Sequence, residues 1–286
     1  MYINYMNAII GLCIYNNCKG LPNVLRNIES IKTVFNDIKV IVFYDKSTDN
    51  SLEILEKYDY FKDNIEIIIN NNEKSEIRTE NIAFARNAIL ETIRNKYSTN
   101  YDYFMMMDSN EYSCIGEINI DVLKDVMTRS DEWDSISFDR EAGYYDTWAL
   151  SFDPYIYSSF HCENANDVTE KKCNKFKKVL EYHKQHLPDK YISVYSAFNG
   201  FAIYKTSVFL DCSYSATIKF NLFPKDILKK QLNVTKCKLI KMLSDDCEHR
   251  AFHLEAIQKH NARIRICTKS LFLKLPVYNN ELRGPA

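Results

Sequence analysis

Two acids set at the ends of apolar runs are the residues of this 286-residue chain best placed to do chemistry. YFMMMDSNEY (103–112) drives five apolar or aromatic residues into Asp108, Ser109, Asn110 and Glu111, and KVIVFYDKSTDN (39–50) ends its own run on Asp45. An acid at the first of these ends, Asp45, can accept hydrogen bonds from a nucleobase or ribose. The Asp108-Ser109-Asn110 cluster can hold a divalent cation through hard oxygen ligands. Such a cation bridges the two phosphates of a nucleotide diphosphate and neutralises charge on the leaving group. Between the acids lie Arg86 and Asn87, with Arg78 just upstream, and guanidinium forks suit phosphate or ribose recognition. Each residue also has a plainer reading. Asp108 is a strand terminus, Asp45 a turn residue beside Ser47, and Arg86 an exposed helix residue paired with Glu80 or Glu91.

The elements that must position these residues read as alternating strands and helices. AIIGLCIY (8–15) is a continuous apolar run suited to a strand covered on both faces. VLRNIESIKTVF (24–35) carries an apolar helical stripe. KVIVFY (39–44), IEIIIN (65–70) and YDYFMMMD (101–108) read as further strands, with Met105 to Met107 as core. SLEILEKY is a helix capped from Ser47, Thr48 or Asp49, and ENIAFARNAILETIRNKY (80–97) a longer amphipathic one. The fold class is α/β, an open, mainly parallel sheet flanked by helices, and such sheets bind ligands beyond the carboxyl ends of their strands. Asp45 and Asp108 both sit at such ends. The second half is less regular. A short strand and an aromatic loop occupy 130–150, and an exposed Lys-rich insertion with one helix around KKCNKFKKVLEYHKQH occupies 161–190. Strand character returns in 196–209, followed by a helix over 247–260 and a strand over 262–267.

Composition narrows the classes. Lys plus Arg (37) nearly cancels Asp plus Glu (38), so no global field argues for nucleic acid or an anionic membrane. No apolar run has the length of a membrane span, and the start lacks the basic region of a signal peptide. Nine cysteines without CxxC pairs fit a reduced, cytoplasmic chain. The sequon Asn233-Val234-Thr235 is then unused.

The blocks GLCIYNN, VFYDKSTDNSLEIL, IRTENIAFARN, FMMMDSNEY, WDSISFDREAGYYDTWAL, FNGFAIYK and CEHRAFH follow in an order that resembles the GT-A-fold glycosyltransferases. The resemblance is greatest to the branch of fungal capsule mannosyltransferases and related giant-virus glycosyltransferases, and it covers roughly residues 8–267 with 161–190 unmatched. It implies a GT-A (Rossmann-like) fold with a mixed sheet, as a single domain over 1–276. Residues 1–115 would form the nucleotide-binding half, 116–276 the donor-sugar and acceptor half, and 277–286 a tail. It further implies transfer of a hexose from a nucleotide-diphosphate sugar to a hydroxyl, with Mn²⁺ or Mg²⁺ held by an Asp-x-Asp motif.

Carried over by position, Asp45 matches the acid at the base or ribose, and Asp108 and Asn110 the first and last places of Asp-x-Asp. Asn110 departs from the pattern by offering a carbonyl without charge. In DDCEHRAFH, Glu248 or Asp246 matches the place of an acceptor-binding acid or catalytic base. His249 and His253 share one helical face, and either completes a metal shell. The plainer readings are helix N-terminal acids and a helix-face histidine. The Tyr144–Trp148 loop either stacks a sugar or packs the sheet, and Asn199-Gly200 is a turn able to approach the donor.

UDP-hexose is the favoured donor, because an acid suits the imide N–H of uracil, and GDP-mannose is next. The acceptor is a glycan or glycoprotein, with virion glycans or a collagen-like protein suggested by the giant-virus resemblance, which also sets the compartment as the host cytoplasm. The Lys-rich segment 171–185 is a solvated face or a contact for an acidic or extended acceptor. Two rivals stand beside this reading. One is a non-catalytic nucleotide-sugar or glycan-binding module with a degenerate motif. The other is a nucleotidyltransferase, for which NNCKG is a poor phosphate loop.

Overall fold

Four apolar runs form the parallel half of one sheet. In the computed structural model, which describes residues 6–58, 63–238 and 245–274, they are β1 (Asn7–Ile14), β2 (Asp37–Tyr44), β3 (Ile65–Ile69) and β4 (Tyr103–Met107). A two-residue strand β5 (Glu117–Ile118) follows, then β6 (Ser135–Asp139), β7 (Ile192–Val194), β8 (Phe201–Lys205), β9 (Ile264–Ser270) and β10 (Phe272–Leu273). Eight of them make a sheet in the order β3-β2-β1-β4-β8-β6-β9-β7, while β5 and β10 pair as a separate ribbon. β3, β2, β1 and β4 run parallel, β8 runs antiparallel to β4 and β6, β6 is parallel to β9, and β7 is antiparallel to β9. This is the mixed, mainly parallel α/β layer expected. The proposed tail at 277–286 lies outside the described residues.

Side chains alternate across the pleat. Ala8, Ile10 and Leu12 of β1 and Met105 and Met107 of β4 enter one core with α1 (Leu21–Lys32). Ile9, Phe104 and Met106 enter the other with α3 (Arg78–Thr92). The short α2 (Ser51–Glu56) follows β2. α4 (Ile120–Thr128) backs the first core, and α5 (Ala165–His186) and α8 (Glu248–His260) pack in the second. α6 (Thr206–Phe209) and α7 (Lys225–Thr235) complete the helices. A Cβ on Gly11 would stand 2.9 Å from both Ile89 Cγ2 and Met106 Sδ, so glycine is what lets α3 settle closely on β1.

The segment 161–190 is not simply an exposed insertion. Val168, Lys172, Phe176 and Leu180 recur every four residues along α5 and are buried, so one stripe of the helix belongs to the core. Lys172 is therefore an exception to the solvated lysine face. No described helix is long and apolar enough to cross a membrane.

The strand order sets the geometry of the two acids. Asp45 follows β2 and Asp108 follows β4, on either side of β1. Two inter-strand spacings put their backbones about 10 Å apart, a span that a nucleoside diphosphate bridges. Asp45 N–H donates to Ile14 O at 2.9 Å, and the Ser109 hydroxyl donates to Cys13 O at 3.0 Å. Both acids are thereby tied to the end of β1.

Candidate active site

Arg86 is the hub. The turn before α3 is fixed by Asn81, whose side chain accepts from Ser75 N and donates to Ser75 O. The Thr79 hydroxyl donates to Asp245 Oδ2 at 2.6 Å, binding the start of α3 to the segment that opens α8. Two turns into α3, the Arg86 guanidinium is buried, with Nη2 3.3 Å from Asp108 Oδ1 and Nη1 3.4 Å from Glu248 Oε1. It lies 4.4 Å from the Phe198 ring centroid, a cation–π contact, and His249 packs against Nη1. Burial is the largest influence on its pKa and lowers it, but Glu248 and Asp108 together raise it above its ordinary value. Arg86 stays charged.

The acids around it are crowded. Burial pushes the Asp108 carboxyl up to about 6; Arg86 opposes this, while Asp146 and Glu248 reinforce it. Burial also raises Glu248, again opposed by Arg86, and raises Asp146. The Asp108 side chain keeps 27 % of its surface open. Its Oδ2 accepts from the Ser113 hydroxyl at 3.3 Å, and its backbone N–H donates to Gly200 O at 2.8 Å. Asn199 and Gly200, with φ of 56° and 89°, form the turn that brings this carbonyl in. Asn199 Oδ1 accepts from Tyr145 N and Asp146 N, which holds Asp146 at the site.

Asp108 and Glu248 thus face Arg86; the charge of Asp146, whose carboxylate accepts from Ala149 N and Asn199 N, pushes both of their pKa values up, and the exposed Arg78 pulls both down. This excess of negative charge suits a divalent cation. Asn110 Oδ1 accepts from Tyr112 N at 2.9 Å, and a carbonyl oxygen with two lone pairs keeps one for a metal. Among the described residues, no third His, Cys or acid ligand groups with Asp108. A cation there would complete its shell with phosphate and water oxygens, as hard cations commonly do.

Asp45 has its own surroundings. Its Oδ1 accepts from Asn70 Nδ2 at 2.7 Å, and its Oδ2 lies 3.2 Å from Lys74 Nζ. The same ammonium sits 3.3 Å from the ring centroid of Tyr15, which is half exposed. The loop after β1 is stapled to the loop after β2, Asn16 N donating to Ser47 Oγ and Cys18 N to Asp49 Oδ2. Asp49 is held at about 2 against its burial by hydrogen bonds from Ser51 and Cys18.

Other candidates are placed elsewhere. Asn87 is engaged with backbone instead: its amide donates to Tyr214 O and accepts from Tyr214 N, both at 2.9 Å. Asp246 is a buried structural acid whose Oδ2 accepts from Arg250 Nε at 2.8 Å. His253 is fully buried, 3.0 Å from the Ser196 hydroxyl through Nδ1, and burial lowers its pKa to about 3. It is stacked behind His249 in the core. His249 is the histidine at the hub, and burial beside Arg86 keeps it neutral. Tyr144 packs on Phe176 and Trp148 on Phe160, so the aromatic loop turns those rings towards α5 and its approach.

Reading the sequence missed Asp146 and Ser113 as neighbours of Asp108, and Phe198 as the face under Arg86. Nothing local marks them, because each is brought in by pairing between distant segments.

Residues 9–109, about a third of the chain, match the family model described as Glycosyl transferase family 2. The matched stretch runs from β1 to the residues just after β4. No curated protein matches the chain. Similar solved structures include S. aureus TarS 1–349, with 18 % identity, TM-score 0.47, and coverage of 93 % of this chain and 59 % of that one. The same protein in complex with UDP-GlcNAc gives 18 % identity and TM-score 0.46, covering 93 % and 57 %. The mannosyltransferase PcManGT from Pyrobaculum calidifontis, in complex with GDP-Man and Mn²⁺, gives 11 % identity and TM-score 0.43, covering 74 % and 49 %. The chain spans less than two thirds of the length of these proteins.

Proposed function

We propose that this chain is a metal-dependent glycosyltransferase that moves a hexose from a nucleotide-diphosphate sugar to a hydroxyl of a glycan or glycoprotein. The observation that carries the reading is the convergence of Asp108 and Glu248 on buried Arg86, with the charge of Asp146 acting on both, at the carboxyl edge of a parallel sheet. The glycosyltransferase match over 9–109 covers the strands that bear Asp45 and Asp108. In this reading Asp45 and Tyr15 receive the base and ribose, and the nucleotide displaces Lys74 from the ring. UDP-hexose is the first choice of donor and GDP-mannose the second. Asp108, with Asn110, would hold Mn²⁺ or Mg²⁺, which when bound supplies positive charge to the departing diphosphate.

Arg86 keeps its fixed position and orients both carboxyls. Arg78, at the exposed start of α3, is free to reach a phosphate. Glu248 is the acid that takes the acceptor proton if the reaction inverts, since burial has raised its affinity for a proton. Asp246 is committed to Arg250 and does not serve.

Turnover of UDP-glucose, UDP-galactose and GDP-mannose, measured with and without Mn²⁺, tests this reading. Donor hydrolysis or transfer that depends on Mn²⁺ and is lost in Glu248→Gln supports it. Nucleotide binding with no turnover of any donor would instead favour the non-catalytic module, the reading that Asn110 keeps open.

A further inference from the structure

The near-zero net charge conceals a segregation. Residues 161–238 hold 14 Lys and no Arg against 7 Asp and Glu, a net of +7, so the rest of the chain carries −8 of the total −1. The stretch 219–238, which contains α7, has six lysines and one acid. All six are exposed, and among the described residues only Lys230 makes an ion pair, with Asp153. Two large apolar side chains stand open among them, Phe220 with 46 % and Val234 with 54 % of their surface exposed. The surface continues onto α5: Asp153, which pairs with Lys230, is two residues from Tyr155, whose ring lies 6.0 Å from Lys175 Nζ. Glu163 N also donates to Lys238 O, which joins the approach to α5 with the end of α7.

We propose that the α7 edge, extended by the outer face of α5, is a docking surface for an anionic lipid bilayer. Lysine ammoniums serve as point charges for an anionic surface, whereas arginine, absent here, is the residue suited to forked recognition of individual phosphates or bases. Apolar side chains projecting among lysines are what an interfacial element inserts between headgroups. A soluble polyanion has no such use for Phe220 and Val234. The inference does not depend on the transfer reaction, and failure of either leaves the other standing.

Co-sedimentation of the full chain with phosphatidylcholine vesicles, with and without phosphatidylglycerol, tests it at low and high salt. Binding is expected only with phosphatidylglycerol and should weaken as salt rises. At about fivefold per lysine, the triple variant Lys219→Gln, Lys225→Gln, Lys229→Gln should partition roughly 100-fold less. All three side chains are exposed, so an unchanged melting temperature separates lost docking from lost folding. A second variant, Phe220→Ser with Val234→Ser, should lose about tenfold and become more salt-sensitive. Equal partition into both vesicles, none into the anionic ones, or an unaltered triple variant would overturn the proposal. Retention on heparin without vesicle binding would also overturn it and assign the surface to a soluble polyanion.

Discussion

Replacing Lys172 with methionine should make the protein more stable at neutral pH. Lys172 lies on the buried stripe of α5 with 1 % of its surface exposed, and Nζ donates to Thr147 O at 2.7 Å. Burial, aided by Arg250, lowers its pKa from 10.5 to about 7. The folded pKa lies below the unfolded one, so between these values the unfolded chain binds the extra proton. Stability contributed by this group therefore rises with pH through that window. A drop of 10.5 to about 7 corresponds to about 5 kcal/mol of penalty on the charged form. Methionine of similar length removes the penalty but leaves the Thr147 carbonyl without its donor, which costs about 1–3 kcal/mol. Lys172→Met should accordingly gain about 2–4 kcal/mol at pH 7. Near pH 10 the gain should vanish or reverse, because the folded wild type is then neutral at this position and the proton still held by the unfolded chain costs it only about 1 kcal/mol, less than the donor lost in the variant. Urea unfolding of both proteins at several pH values measures the difference directly. A variant less stable at pH 7, or a difference that stays constant with pH, would refute the reasoning.

Glu248→Gln should reduce transfer by about 10²–10⁴-fold while donor binding, followed by calorimetry, changes little. Asp246→Ala should act on stability instead: it leaves Arg250 buried without its partner and should cost about 3–5 kcal/mol, read from the denaturation midpoint. Asp45→Ala removes a charged acceptor worth about 1.5–3 kcal/mol and should raise donor KM by about 10–100-fold with kcat nearly unchanged. Arg86→Met leaves Asp108 and Glu248 without their shared cation. It should lose about 3–5 kcal/mol of stability, with the loss smaller at pH 5 than at pH 8, because protonation then relieves both acids.

β1 and β4 were legible because they are covered on both faces and must be apolar, and β2 and the edge strand β3 because they keep apolar runs around a single Lys39 or Glu66. The runs at 8–15, 39–44, 65–70 and 101–108 all became strands within a few residues of the expected bounds. α7 was not read, because its fully buried positions are the polar Gln231 and Thr235: the Gln231 amide exchanges hydrogen bonds with the distant Tyr157 backbone, and the Thr235 hydroxyl donates to the Gln231 carbonyl. At the candidate site, Asp108 and Arg86 were visible through their places on a strand end and a helix. Whether Arg86 faced Glu80, Glu91 or Asp108 was not visible, since helix phase is read from apolar neighbours and α3 is not the amphipathic helix expected: Phe84 is exposed while Thr79 and Arg86 are buried. Asp246 and Glu248 are two residues apart and indistinguishable by type. Their separation into a structural and a site acid depends on Arg250, which returns to Asp246 one helical turn later.

Consecutive residues of α3 grip different parts of the molecule, Arg86 the carboxyls of β4 and α8, and Asn87 the backbone at Tyr214. A fragment cut to residues 9–109 would keep the guanidinium but shed Glu248, Phe198 and the Tyr214 backbone. It would leave the guanidinium with Asp108 alone of its two carboxylate partners, and a loose amide beside it. Such a fragment is a poor minimal unit for dissecting nucleotide affinity, and excision or swapping of that stretch between proteins would need α8 and the 198–214 segment to travel with it.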